Sequence, residues 1–89
     1  MITFDKDPDA VLDYAFDWTA WLDDGETIAS HTVTVDEGLT RDSDAEDGGV
    51  VTVWLSGGTA GTFPRVACRI TTSAARTDER TIIIRVAER

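Results

Sequence analysis

One cysteine, Cys68, stands among 89 residues, which excludes an internal disulfide and any metal site built from paired thiolates. Packing alone must hold the fold. Cationic residues are scarce as well: 8 Lys and Arg face 17 Asp and Glu, for a formal charge of -9. Phosphate binding of the sequence-independent kind needs clustered Lys and Arg, so nucleic acid is excluded as the expected partner. No apolar run approaches the roughly 20 residues of a membrane-crossing helix, and no charged-then-apolar leader opens the chain. The expectation is a soluble protein made in a reducing cytoplasm, with no membrane partner. No stretch carries the 3.6-residue period of a long helix, and only two prolines and one histidine are present.

What the chain does contain is apolar alternation. Hydrophobic residues make up 42%, with three Trp, too much for a disordered segment. From its mass the folded surface should be about 5,000 Å² against about 14,000 Å² unfolded, enough for one thin core. That leaves little room for the supporting groups of an active site, so a stand-alone enzyme is disfavoured.

Leu12, Tyr14, Phe16 and Trp18 alternate with Asp13, Ala15 and Asp17, the period of a half-buried strand. A helix started by Asp7 and Pro8 would stack Asp9, Asp13 and Asp17 at i, i+4 and i+8, where like charges repel, so the strand is preferred, with a short turn over Thr19 to Leu22. Further strands are expected over Thr27–Val35, Val50–Leu55, Phe63–Thr72 and Thr81–Val86, separated by Asp- and Gly-rich turns. In the first of these, Ala29, His31, Val33 and Val35 share one face. The continuous Ile82-Ile83-Ile84 reads as a central strand covered on both faces. Leu39 and Thr40 read as a short strand, and Arg41 through Gly49 as a polar loop. Cys68 points inward with Val66 and Ile70 as a small hydrophobe. Together these predict an all-β, antiparallel sandwich of about 6 to 8 short strands, with residues 1–9 an N-terminal arm and residues 10–89 a single domain.

The candidate chemistry is sparse. Asp42-Ser43-Asp44-Ala45-Glu46-Asp47-Gly48 could offer oxygen ligands to calcium, yet an EF-hand loop begun at Asp42 needs Gly where Asp47 stands and Glu where Val53 stands. A solvated acidic loop is the preferred reading, and Asp23, Asp24 and Glu26 read as turn chemistry. His31 has no nucleophile in a recognisable motif. Ser56-Gly57-Gly58 lacks the lysine of a phosphate loop. No catalytic residue, metal or cofactor is therefore assigned. Trp18 and Trp54 sit in strand patterns and read as core anchors. Trp21 is either a lid over one end of the sandwich or a contact residue. Arg65 and Arg69 point outward, and Arg76, Asp78, Glu79 and Arg80 crowd one turn, either as local ion pairs or as a docking tip. The candidate interaction set is Trp21, Asp23, Asp24, Arg76, Asp78, Glu79 and Arg80.

Charge is unevenly spread: residues 1–47 hold 14 acids and 2 bases, residues 48–89 hold 3 acids and 6 bases. Pairing of the two halves within the molecule is the preferred account, and a dipolar surface that docks head to tail is the other.

Lys6-Asp7-Pro8-Asp9, Val11-Leu12-Asp13-Tyr14, Phe16-Asp17-Trp18 and Trp21-Leu22, followed by Val53-Trp54-Leu55-Ser56-Gly57-Gly58-Thr59-Ala60-Gly61-Thr62, Arg69-Ile70-Thr71-Thr72 and Arg76-Thr77-Asp78-Glu79-Arg80, resemble small tailed-bacteriophage structural proteins labelled phage fiber-tail adaptor proteins. The latter half also resembles the end of an immunoglobulin-like or PKD-type sandwich, with Phe63-Pro64 where such domains commonly carry Tyr. The resemblance implies a non-enzymatic virion component of the tail, head–tail junction or fibre attachment. Its partners would be other phage virion proteins in a symmetric assembly, after synthesis in the bacterial host cytoplasm. The alternative is a capsid decoration protein or a glycan-binding adhesion module, and a small enzyme or calcium-dependent carbohydrate binder is a third class.

Overall fold

Alternation along Val50–Gly57 puts Val51, Val53 and Leu55 on one side of a strand, each with no solvent exposure, and these residues locate the interior. The computed structural model describes residues 2–88. Seven strands follow in order: β1 (Ile2–Lys6), β2 (Leu12–Asp17), β3 (Ile28–Val35), β4 (Leu39–Asp47), β5 (Val50–Gly57), β6 (Arg65–Thr72) and β7 (Thr77–Val86). They form a four-stranded sheet in the order β1-β7-β6-β3 and a three-stranded sheet in the order β2-β5-β4. The two pack face to face as an all-β sandwich, with the chain exposing 5255 Å².

Tyr14 and Phe16 of β2 sit directly across from Val53 and Val51 of β5, so the large rings join the same inner face. Val66, Cys68 and Ile70 of β6, with Ile82, Ile84 and Val86 of β7, supply the other half of the core. Burial lifts the Cys68 thiol to about 12, so at neutral pH it stays protonated and packs as a hydrophobe, as expected. His31, Val33 and Val35 of β3 share the inner face and are half-buried, whereas Ala29 is exposed and Ile28 is buried. A bulge between Ile28 and Ser30 shifts the register there and switches the parity.

Five expectations change. Residues 1–9 are not simply an arm, because Ile2–Lys6 is a strand of the larger sheet; Met1 lies outside the described residues. β1 runs parallel to β7, so the sheet is not wholly antiparallel. A parallel neighbour requires a long connection, and here most of the chain lies between the two strands.

The polar stretch 41–49 is largely strand, not loop: β4 pairs with β5 from Leu39↔Gly57 to Asp47↔Val50, with a bulge at Asp42. Acidic side chains are tolerated there because β4 is an edge strand, where charge also discourages unwanted pairing. Gly48 (φ 59) and Gly49 (φ 93) make the two-residue turn into β5, a conformation that favours glycine at both positions.

Trp54 is not a core anchor; it lies on the outer side of β5 and is 43% exposed. Trp18, immediately after β2, is fully buried as expected. Finally, β7 begins at Thr77 rather than Thr81 and is interior to its sheet, but Ile83 is only partly covered.

The two sides of the sandwich are unlike. Between β3 and β4, His31 Nε2 meets Asp44 Oδ1 at 2.6 Å, and Arg41 Nη1 donates to Asp44 Oδ2 at 2.7 Å. This polar cluster ties the two sheets together. Between β1 and β2 lies a groove of about 620 Å³ whose lining includes Ile2, Phe4, Phe16 and Ile82. Lys6, fully buried, donates from Nζ to Gly57 O at 2.7 Å and to Asp7 O at 3.0 Å. One buried ammonium thus fastens the start of the larger sheet to the end of β5.

Candidate functional site

The turn after β2 carries Trp18 and Trp21 to one end of the sandwich, where amides of Trp21 and Leu22 donate to Trp18 O at 2.9 and 3.0 Å. Trp18 is anchored from β7: its Nε1 donates to Asp78 Oδ2 at 2.8 Å, and the Arg80 guanidinium lies 4.8 Å from the indole centroid. Arg80 Nη1 also donates to Asp17 O at 2.6 Å. A buried indole N–H satisfied by a carboxylate makes Trp18 a fixed platform rather than an adaptable contact.

Trp21 is half-buried against the core and covered by Arg76, whose guanidinium carbon sits 4.0 Å from the ring centroid. Arg76 is held in turn by Glu26. Its Nε donates to Glu26 Oε2 at 2.9 Å, its Nη2 to Glu26 Oε1, and Nη2 also reaches Trp21 O at 3.3 Å. Thr72 Oγ1 donates to the same carboxylate, and the Asp23 amide donates to Oε1 at 3.0 Å. The hydrogen bonds from Arg76 and Thr72 hold the Glu26 carboxyl down at about 2, against 4.5 for a free group. The same carboxylate raises Arg76 above its ordinary value. Fork-to-fork pairing of this kind fixes both planes.

Six of the seven candidate contact residues therefore meet at one end. Trp21, Asp23 and Arg76 are in mutual reach, with Asp23 Oδ2 3.9 Å from Arg76 Nη2. Asp24 lies beside them on a shallow recess it shares with Gly25, Ser73 and Ala74. Asp78 and Arg80 brace Trp18. Glu79 is the exception, since it lies on the outer face of β7 and pairs with Arg69 at 3.3 Å. The residue that sequence reading undervalued is Glu26. Its turn role is real, through the Asp23 amide, but its principal partner Arg76 is 50 positions away, and no local spacing signals such a pair.

The two outer faces differ in charge. On the larger sheet Arg65, Arg69 and Arg85 are each matched by an acid, at Asp36, Glu79 and Asp5. On the smaller sheet the outer side of β2 carries Asp13 beside Trp54 and Asp17 beside Val50, and the outer side of β4 carries Asp47 across from Val50. Among the described residues no group of three or more His, Cys, Asp or Glu is placed to hold a metal ion. The acids of 42–47 sit on a strand whose side chains alternate between faces.

A family model described as podophage GP4 fiber-tail adaptor protein gp77 matches residues 6–85. No curated protein matches. The match runs from the buried Lys6, the last residue of β1, through β2 to β6 and into β7 up to Arg85, and the chain accordingly belongs to the podophage GP4 fiber-tail adaptor protein gp77 family.

Proposed function

We propose that this chain is a non-enzymatic structural component of a phage virion, joining subunits of the tail, head–tail junction or fibre attachment. The observation that carries the reading is the family match over residues 6–85. The side chains support it. Groups that would do chemistry elsewhere are spent on structure: Cys68 is buried with its thiol raised to about 12, His31 is engaged by Asp44, and Glu26 is saturated by Arg76 and Thr72. A small sandwich with two built ends and two open faces suits an assembly around a symmetry axis.

In this reading the tip formed by Trp21, Asp23, Asp24 and Arg76, with Asp78, Glu79 and Arg80 behind it, is one contact region for a neighbouring virion protein. The fixed Trp21–Arg76 stack means little side-chain freedom is lost on docking. Nucleic acid and membrane are not partners, and the chain is made in the host cytoplasm before assembly.

The test is quantitative mass spectrometry of density-purified particles, with the copy number set against the capsid and tail-tube proteins. A small integral ring number supports the adaptor role. Copies approaching those of the capsid protein would replace it with decoration, and absence from intact particles would remove the virion reading altogether.

A further inference from the structure

Trp54 is on the middle strand of the three-stranded sheet, yet 43% of it is exposed. Tryptophan is among the residue types most enriched at protein–protein contacts. Its cross-strand neighbours are Asp13 and Ser43, and the adjacent row across the sheet is Ala15, Thr52 and Ala45. Side chains this short leave the indole standing above a flat floor.

Charge says what covers it. Each of the six arginines among the described residues already pairs with an acid of this chain: Arg41, Arg65, Arg69, Arg76, Arg80 and Arg85. None of those pairs involves Asp13 or Asp47, whereas Asp17 is held by Thr19 and lies in the field of Arg80. The only lysine, Lys6, is buried and bound to backbone carbonyls. The outer face of β2-β5-β4 thus keeps negative charge beside the exposed ring at Asp13 and at the far end of the face at Asp47, next to Val50, while the outer face of the other sheet is neutralised within the molecule.

We infer that the outer face of β2-β5-β4 is a protein-docking surface, with Trp54 as its central anchor, and with Asp13 beside it and Asp47 at the far end of the face selecting a partner that carries Lys and Arg beside an apolar recess. A second copy of this chain does not fit. Face to face, two such surfaces repel, and the arginine-bearing face already has its own acids. The partner is a different protein with a basic surface, which attracts this face over about a Debye length, ~8 Å at physiological salt. This rests on the virion reading and deepens it, since an adaptor needs a second contact region besides the tryptophan end.

Oxidative footprinting of the wild-type chain tests it, free in solution and within density-purified particles, with tryptophan oxidation read by mass spectrometry. Trp54 should oxidise readily in the free chain and be protected by about tenfold or more in particles, the size of effect that exclusion of water from a central anchor produces. Trp18 should stay protected in both. In particles carrying Asp13→Lys with Asp47→Lys, incorporation should fall by about tenfold or more, as should incorporation of Trp54→Ala, each a loss of the order expected for a central contact. Melting curves unchanged from wild type confirm that these exposed substitutions leave the fold intact. If Trp54 in particles oxidises as in the free chain, or the charge-reversed variant incorporates normally, the docking face is wrong while the virion reading survives. If particles contain no copy of the chain, the virion reading fails and takes this inference with it.

Discussion

Gly58 lies where the chain leaves β5, and its replacement by alanine isolates a close approach that the family-like Ser56-Gly57-Gly58 stretch exists to permit. Its φ of +108° is one that side-chain-bearing residues rarely adopt, and a Cβ built there meets Val86 Cγ2 at 2.9 Å and Cγ1 at 3.1 Å. Val86 is 1% exposed and has no free direction in which to retreat. The backbone strain costs about 1–3 kcal/mol, and forcing a methyl into the packed interior costs about 1–3 kcal/mol more. We expect Gly58→Ala to lose about 3 kcal/mol, which lowers Tm by roughly 12–24 °C for a domain of this size. Chemical denaturation followed by fluorescence of the buried Trp18 measures it. Val86→Ala alone should cost about 2 kcal/mol from lost burial and the space left behind. The double variant should be about 1–2 kcal/mol less destabilised than the sum, because removing the valine methyls relieves the clash and leaves only the backbone strain. Strict additivity would refute the contact with Val86, and a Gly58→Ala effect below about 0.5 kcal/mol would refute the whole argument.

Two other substitutions test the electrostatics. Glu26 titrates at about 2 in the folded protein against 4.5 in its absence, so the unfolded chain binds more protons between those values and stability falls as pH drops from 4.5 towards 2; the gap in Tm between wild type and Glu26→Gln should be full above pH 4.5 and close across that range, and a gap that stays constant down to pH 2 would sink the Arg76 pairing as its source. Lys6→Met keeps the aliphatic stem but removes two charge-assisted bonds, worth roughly 1.5–3 kcal/mol each before the relief of desolvation is subtracted; a net loss of about 1–2 kcal/mol is expected in thermal melts, and a variant that melts at or above wild type would show that the buried ammonium opposes folding.

The alternation in β2, β5 and β6 made the strands and their buried residues legible, because a period of two names one face and Tyr14, Phe16, Val66, Cys68 and Ile70 have only one place to go. Alternation does not by itself say which face is inner where both carry large residues. Val53-Trp54-Leu55 is such a case, and it is decided by the pairing of Val53 with Tyr14. The acids of β4 hid a strand because charge and strand pairing are compatible only at an edge, and which strand is an edge is a property of the sheet.

Composition and local pattern alone thus determined an all-β chain with a buried inert thiol and an acidic surface, since these depend on residue type and near-neighbour spacing. Tertiary structure decided the rest, for one physical reason: the deciding partners are distant in sequence. Glu26 finds Arg76 across 50 positions, Lys6 reaches Gly57 across 51, and Trp18 meets Asp78 across 60. β1 lies parallel to β7 only because the sandwich brings the two ends of the chain together. The exposed Trp54 beside Asp13, likewise, appears only once β2 and β5 pair and set the two side chains next to each other on the outer face.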